Sequence, residues 1–450
     1  MPKLLERTGE VAERLVRRYM PDPFVLVLLL TLLTFALAAA LTPRPPAAIL
    51  ADWNRGFWEL LSFAMQMVLI VVTGEAIVAA PGPRRLLLWA AEVPRTPAGM
   101  VAYVAFVSLA LGWLHWGFGL ISAAILAREV ALCARRRGIA VHYPLLGAAG
   151  YMSMLLWHAG TTASAPLLIN TPGHFLEREI GIVPLVETVL TRENLFACAT
   201  LLVIVPIVLS RMTPSGEHVE PIELALLQHT APAPGGSEGA RGADLLPAER
   251  LDRSAVLPVL IALAGFGFLF GYFRAHGFDL NHNVVNFLLL MVGLAIHGSP
   301  VAYARAVAAS VRGTSGIILQ FPFYGGIMGI MRDSGLGHLI AEQFVAMASA
   351  RTLPFFAYLA SIVTKLFVPS GGGEWAVEGP VMLQAAKSLG AAVGRTTMGV
   401  AYGNMVGNMF QPFWAIPLLA ILGLGARDIM GYCLVIFAIA SPILGAALLL

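Results

Sequence analysis

The sequence predicts an all-α polytopic membrane protein, and three observations carry that expectation. Of its 450 residues, 58% are hydrophobic and only 12% charged, with a mean hydropathy of +0.78. A soluble chain would carry about 25% charged residues. Next, the chain holds about ten apolar stretches approaching the roughly 20 residues needed to cross a bilayer. Among them are Pro23–Leu41, Phe57–Ala80, Met100–Trp113, Phe196–Ser210, Val256–Phe273, Val285–His297 and Tyr432–Leu450. Third, Pro-Ser-Gly-Gly-Gly-Glu-Trp-Ala-Val-Glu-Gly-Pro at 369–380 interrupts an apolar helical pattern that runs from Phe355 to Val368 and resumes from Val381 to Leu389. Lipid offers freed backbone groups no hydrogen bonds, so such a break must be buried in protein or face a water-filled cavity. A donor-rich break carrying two carboxylates suits a solute site at mid-membrane depth.

In chain order, residues 3–20 are expected to form an amphipathic helix, with Leu4, Val11, Leu15 and Tyr19 on one face, within a surface segment 1–22. Pro23–Leu41 is the first span rather than a cleaved leader, because many spans follow it. A first membrane repeat is expected over 23–210, a cytoplasmic linker over 211–253 and a second repeat over 254–450. The linker contains Ala-Pro-Ala-Pro-Gly-Gly-Ser-Glu-Gly-Ala at 231–240, a flexible composition. Basic residues at 17–18, 84–85 and 135–137, and in the linker, place the N-terminus and those loops on the cytoplasmic side of a bacterial inner membrane. The acidic loop 171–193 fits the outer side. A net charge of +3 gives no reason to expect a nucleic-acid partner. Cys133, Cys198 and Cys433 are scattered without metal-ligand spacing, so no disulfide, metal centre or cofactor is expected.

The two halves echo each other. Each has a glycine-broken apolar segment, Leu114–Ala123 in the first and Ser370–Pro380 in the second. Each then has a span interrupted by polar residues, Tyr151–Leu168 and Tyr402–Leu419, both closing on Pro-Leu-Leu. Paired broken segments in corresponding positions point to a transporter site.

The candidate site residues fall in these breaks. A helix N-terminus offers backbone N–H groups and a partial positive charge to an anion. Ser370, Gly371, Gly372 and Gly373 supply such a terminus, and Gly117, Gly119 and Ser122 its counterpart, with a packing kink as the alternative. Thr161, Thr162, Asn404, Asn408 and Gln411 are polar residues within spans; the last three share helical spacing, and either a site or interhelical hydrogen bonding explains them. Glu374, Glu378 and His158 are the proton-coupling candidates, since ionisable groups inside a membrane are functional by default. Lys365 before the break would instead neutralise one of the carboxylates. Glu75 has no assigned role. Trp116, Trp157, Trp375 and Trp414 adjoin the breaks and offer apolar walls.

At these residues the chain resembles the bacterial short-chain fatty acid transporter family. The resemblance is carried by Phe-Val-Pro-Ser-Gly-Gly-Gly-Glu-Trp-Ala-Val-Glu-Gly-Pro at 367–380, by Phe-Pro-Phe-Tyr-Gly-Gly-Ile-Met-Gly-Ile-Met at 321–331 and by Gln-Pro-Phe-Trp-Ala-Ile-Pro-Leu-Leu at 411–419. Trp157-His158, Thr171-Pro-Gly-His-Phe-Leu-Glu and Arg18-Tyr-Met-Pro-Asp-Pro-Phe add to it. It implies uptake of acids such as acetoacetate or butyrate, two inverted repeats each with a re-entrant helical hairpin and a broken transmembrane helix, elevator-type movement, and a homodimer. Glu374 and Glu378 stand where the family commonly carries Gln, which brings charge into the site.

These readings combine into a cation-coupled symporter of a small monocarboxylate in a lipid bilayer. The carboxylate lies between the hairpin tips, held by the Ser370 turn and by Asn404, Asn408 and Gln411, with the acyl chain against Trp375 and Phe413. The coupling ion is H+, or Na+ near Thr161, Asn404 and Asn408. Three alternatives remain open: a dicarboxylate carrier using Lys365, a channel, and an intramembrane hydrolase using Ser370 with His158.

Overall fold

The computed structural model describes residues 23–214, 219–222, 246–366, 368 and 370–450. The expected helix at 3–20 and most of the linker lie outside them. The described chain is helical throughout, with eight helices or helix pairs long and apolar enough to cross a membrane: Phe24–Leu41, Pro46–Ala79, Pro97–Leu114, Trp116–Arg136, Arg192–Arg211, Pro247–His276, Pro300–Ser334 and Ala426–Leu449. His282–Ile296 and Leu353–Thr364 are shorter apolar helices.

The same order of elements occurs twice. In the first half, Pro97–Leu114 and Trp116–Arg136 form an antiparallel hairpin turning at His115. An interrupted helix follows: Tyr143–Tyr151, the 3-10 turns Met152–Leu155 and Trp157–Ala159, and Ser164–Ile169. Arg192–Arg211 closes the half. In the second half the hairpin is Leu353–Thr364 with Gly371–Leu389, the interrupted helix is Val393–Gly407 with Ala415–Leu422, and Ala426–Leu449 ends the chain.

Small residues let these elements approach closely. Gly399, Gly403 and Gly407 recur every four residues along one stripe of Val393–Gly407 and face the first arm of the second hairpin. A Cβ on Gly403 would lie 2.4 Å from the Tyr358 carbonyl oxygen and 2.5 Å from the Ser361 Cβ. The first half uses the same device: a Cβ on Gly112 would lie 1.9 Å from the Ser153 carbonyl oxygen, and one on Gly160 equally close to that of Trp113.

A second body packs beside the hairpins. Pro46–Phe57 crosses Ser315–Ser334 where Gly56 meets Gly325 and Gly329. Ion pairs secure the end of that crossing: Arg44 grips the buried Asp52 with two hydrogen bonds of 2.8 and 2.7 Å, Arg55 reaches Asp333 at 2.9 Å, and Arg332 reaches Glu59 at 2.7 Å. The basic loop after Arg135 is tied to the start of the linker region, where the Tyr143 N–H donates to the Glu220 carbonyl at 2.8 Å and the Arg135 guanidinium donates to that of Ile222.

One sequence expectation needs correction. The break in the second hairpin is shorter than 369–380, because the three glycines form the first turn of a helix that runs on to Leu389 with Pro380 inside it. Glycine costs little in a first turn, where half the hydrogen-bonding pattern is absent anyway. Pro380 forfeits one backbone bond, a loss that neighbouring helices make tolerable in membrane proteins.

Gly403→Val inserts branched bulk into the tightest part of this packing. Overpacking of this kind costs about 1–3 kcal/mol. We expect a lower melting temperature for the purified protein in detergent, with Gly82→Ala, where a Cβ would meet nothing within 4 Å, unchanged.

Candidate functional site at the second hairpin tip

Ser370 caps the helix Gly371–Leu389, its hydroxyl accepting from the Gly373 N–H at 3.4 Å. The glycines behind it are required by what surrounds them. A Cβ on Gly371 would lie 2.2 Å from the His158 ring, one on Gly372 3.0 Å from both Phe63 and Phe321, and one on Gly373 2.4 Å from the Tyr324 ring. His158 comes from the interrupted helix of the other half, so the second hairpin tip abuts the first half's break.

Behind the tip lies a buried polar cluster. The carboxylate of Glu374 receives hydrogen bonds from the Ser361 hydroxyl and from the Asn404 amide. Asn404 in turn accepts from the Lys365 ammonium at 3.0 Å. Lys365 and Glu374 are both fully buried, and Asn404 joins them. Glu378, one turn on, is buried with neither carboxyl oxygen in a hydrogen bond, Thr364 facing it from the other arm.

Asn408 does not join that cluster. Val393–Gly407 ends just before it, and its amide donates to the Met154 carbonyl at 3.2 Å, tying the two interrupted helices together. The Tyr151 hydroxyl strengthens the tie, donating to the Asn408 carbonyl at 3.0 Å. The Gln411 side chain accepts from the Phe413 N–H at 3.1 Å.

The first hairpin tip is held by the threonines. The Trp116 N–H donates to the Thr162 hydroxyl at 3.2 Å, and the Thr161 hydroxyl donates to the Leu114 carbonyl. Gly119 faces Gly112 of the opposite arm and Gly117 faces Val71, both as helix contacts, while Ser122 is buried with its hydroxyl unpartnered.

Three of the four tryptophans converge. Trp116 stacks on Trp157 with centroids 4.3 Å apart, and Trp414 meets both edge-on at 5.0 and 5.4 Å. His158 stacks on the other face of Trp157 at 4.1 Å. Trp375 stands apart, buried against Gly379 of its own helix.

A cavity of about 380 Å³ opens beside this assembly. Ser370 lies in one wall, Phe413, Trp414, Ile416 and Pro417 in another, and the segment from Gly313 to Phe321 closes it with Phe24. Sequence reasoning missed the last group, Gln320 above all, whose carbonyl accepts from the Tyr324 hydroxyl at 3.0 Å. A lone amide within an apolar span was the available signal. It also missed Ser361, which sits one turn before Lys365. Glu75 lies behind this wall, where a Cβ on Gly313 would be 3.4 Å from its carboxylate.

Asn404→Leu would strand a buried ammonium and a buried carboxylate. Leaving buried groups without their hydrogen bonds costs about 1–3 kcal/mol each, more where they are charged, so the purified variant should melt below wild type.

Comparison with known proteins agrees with this architecture. The family profile described as short chain fatty acid transporter matches residues 4–450. A relative in Escherichia coli K12 is 42% identical over 431 residues, covering 96% of both chains. One in Haemophilus influenzae is 39% identical over 447 residues, covering 98% of both. Both are provisionally named short-chain fatty acid transporters. Among solved structures, the Alcanivorax borkumensis YdaH transporter, described as having an unusual topology, matches with a TM-score of 0.58 at 16% identity, covering 95% of this chain and 98% of its own. Neisseria gonorrhoeae MtrF, assigned to a class of antimetabolite efflux pumps, matches at 0.52 and 14% identity, covering 99% and 97%. Those two likenesses concern the fold. The chain is thus a membrane transporter and not an enzyme, and it belongs to the short-chain fatty acid transporter family.

Proposed function

We propose that the protein takes up short-chain fatty acids such as butyrate or acetoacetate together with a proton across the bacterial inner membrane. The observation that carries this reading is the cavity with Ser370, the N-cap of the helix Gly371–Leu389, in one wall and Phe413 and Trp414 in another. Its volume falls within the roughly 300–1,000 Å³ of small-molecule sites. A carboxylate at the Ser370 turn would meet backbone donors and the positive end of a helix dipole without a buried cation. A short acyl chain would then lie on the aromatic wall. This differs from the sequence expectation in several contacts: Trp414 takes the place given to Trp375, while Asn404, Asn408, Gln411 and the first hairpin tip lie outside the cavity lining, the three amides bonding Glu374, Met154 and Phe413 instead.

A lone carboxylate entering an inside-negative cell works against about 2.3 kcal/mol per 100 mV. An accompanying cation removes that cost. Glu374 is engaged by Ser361 and Asn404, whereas Glu378 is buried without hydrogen bonds. That contrast favours Glu378 over Glu374 as the carrier of the transported proton. An elevator movement of the hairpins and interrupted helices past the Pro46–Phe57 and Ser315–Ser334 body would carry the site across, and a homodimer would anchor that body. A dicarboxylate would need a second cationic contact, and no Lys or Arg lines the described cavity.

In proteoliposomes, an inward proton gradient should drive saturable accumulation of radiolabelled butyrate. Glu378→Gln should abolish gradient-driven accumulation while retaining butyrate exchange; loss of both, in a protein that elutes normally, would contradict the assignment. Phe413→Trp shrinks the cavity and should shift preference from butyrate towards acetate by on the order of tenfold, the discrimination available to one or two methylenes. Competition of unlabelled acids against labelled acetate measures it.

A further inference from the structure

Lys365 is among the largest fully buried side chains of the protein. Its stem passes Gly407 so closely that a Cβ there would lie 2.6 Å from the lysine Cγ. Its head reaches the point where both arms of the second hairpin meet Val393–Gly407. There the ammonium donates to the Asn404 amide oxygen at 3.0 Å. The Glu374 carboxylate lies on the other side of the same amide. The Ser361 hydroxyl, one turn before Lys365, bonds that carboxylate and reaches the Val400 carbonyl at 2.7 Å.

The groups gathered here are a carboxylate, an amide oxygen, a hydroxyl and a backbone carbonyl. Hard cations prefer this oxygen donor set. In transporters, sodium is held where hairpins and interrupted helices expose such oxygens. The Asn404 oxygen that a sodium ion would need is occupied by the ammonium, and the Thr161 hydroxyl is committed to the first hairpin tip.

We infer that the Lys365 ammonium is a tethered cation standing where a sodium ion would bind, so that it excludes sodium and makes transport independent of it. The inference deepens the carrier reading above and rests on it for the transport readout, but not for the binding one. A fixed cation opposite Glu374 leaves the second carboxylate, Glu378, as the group free to exchange its charge during the cycle.

The test measures radioactive sodium binding to the purified full-length protein, then butyrate uptake in proteoliposomes with sodium or with N-methylglucamine. Wild type should bind no sodium above background and transport equally in both media. Lys365→Ala removes the ammonium and leaves room, so it should bind sodium and show sodium-stimulated uptake on the order of tenfold, the scale of a coupling between two sites. Lys365→Met keeps the bulk without the charge and should show neither. Sodium binding by wild type would overturn the inference, whatever the variants do. So would identical sodium responses of the Ala and Met variants. If wild type takes up no butyrate under any gradient while the sodium-binding pattern holds, the substrate reading falls and the inference stands.

Discussion

The structure depends on the burial of one helix N-terminus. A helix end inside a membrane protein must be satisfied by protein groups, because lipid cannot do so. At Gly371–Gly373 this end also receives rings from three directions, and each glycine is the space that one or two rings need. Any side chain at these positions would push away His158, Phe63, Phe321 or Tyr324. Those rings belong to both halves and to the neighbouring body, so the hairpin tip is the point at which all three parts meet.

From that point the remaining features follow. His158 can approach Gly371 only because the first interrupted helix breaks into 3-10 turns at Met152–Leu155 and Trp157–Ala159. The same break turns Trp157 towards Trp116 and Trp414, which brings the aromatic wall to the cavity beside Ser370. On the far side, the glycine stripe at 399, 403 and 407 brings Val393–Gly407 close enough for Asn404 to link Lys365 with Glu374. The charges behind the tip and the donors at its front are thus set by the same close packing.

Much of this was legible in the sequence. Composition and apolar runs pointed to the membrane, and the Ser-Gly-Gly-Gly text marked where the second hairpin breaks, because glycine runs and polar insertions are costly there without a purpose. The paired breaks of the two halves were visible for the same reason. The length of the second break was not: the glycines and Pro380 suggested a long interruption, whereas tertiary contacts hold them in a helix. Nor could local spacing distinguish Gly119, which packs against Gly112, from a ligand-facing glycine. Asn404 and Asn408 share helical spacing, yet the helix ends between them, and their amides serve different partners. Gln320 is visible as a lone amide within an apolar span, but its place beside Ser370 came from a segment distant in sequence, which local spacing does not reveal.

The central claim is the placement of the acid, with its carboxylate on the Ser370 turn and its tail on Phe413 and Trp414. The most direct measurement is an experimental structure of the protein with 4-bromobutyrate, locating bromine by anomalous scattering. The account predicts a bromine peak in the cavity against Phe413 and Trp414, with carboxylate density at the N-terminus of Gly371–Leu389. A bromine peak elsewhere, with the cavity beside Ser370 holding only water, would contradict it.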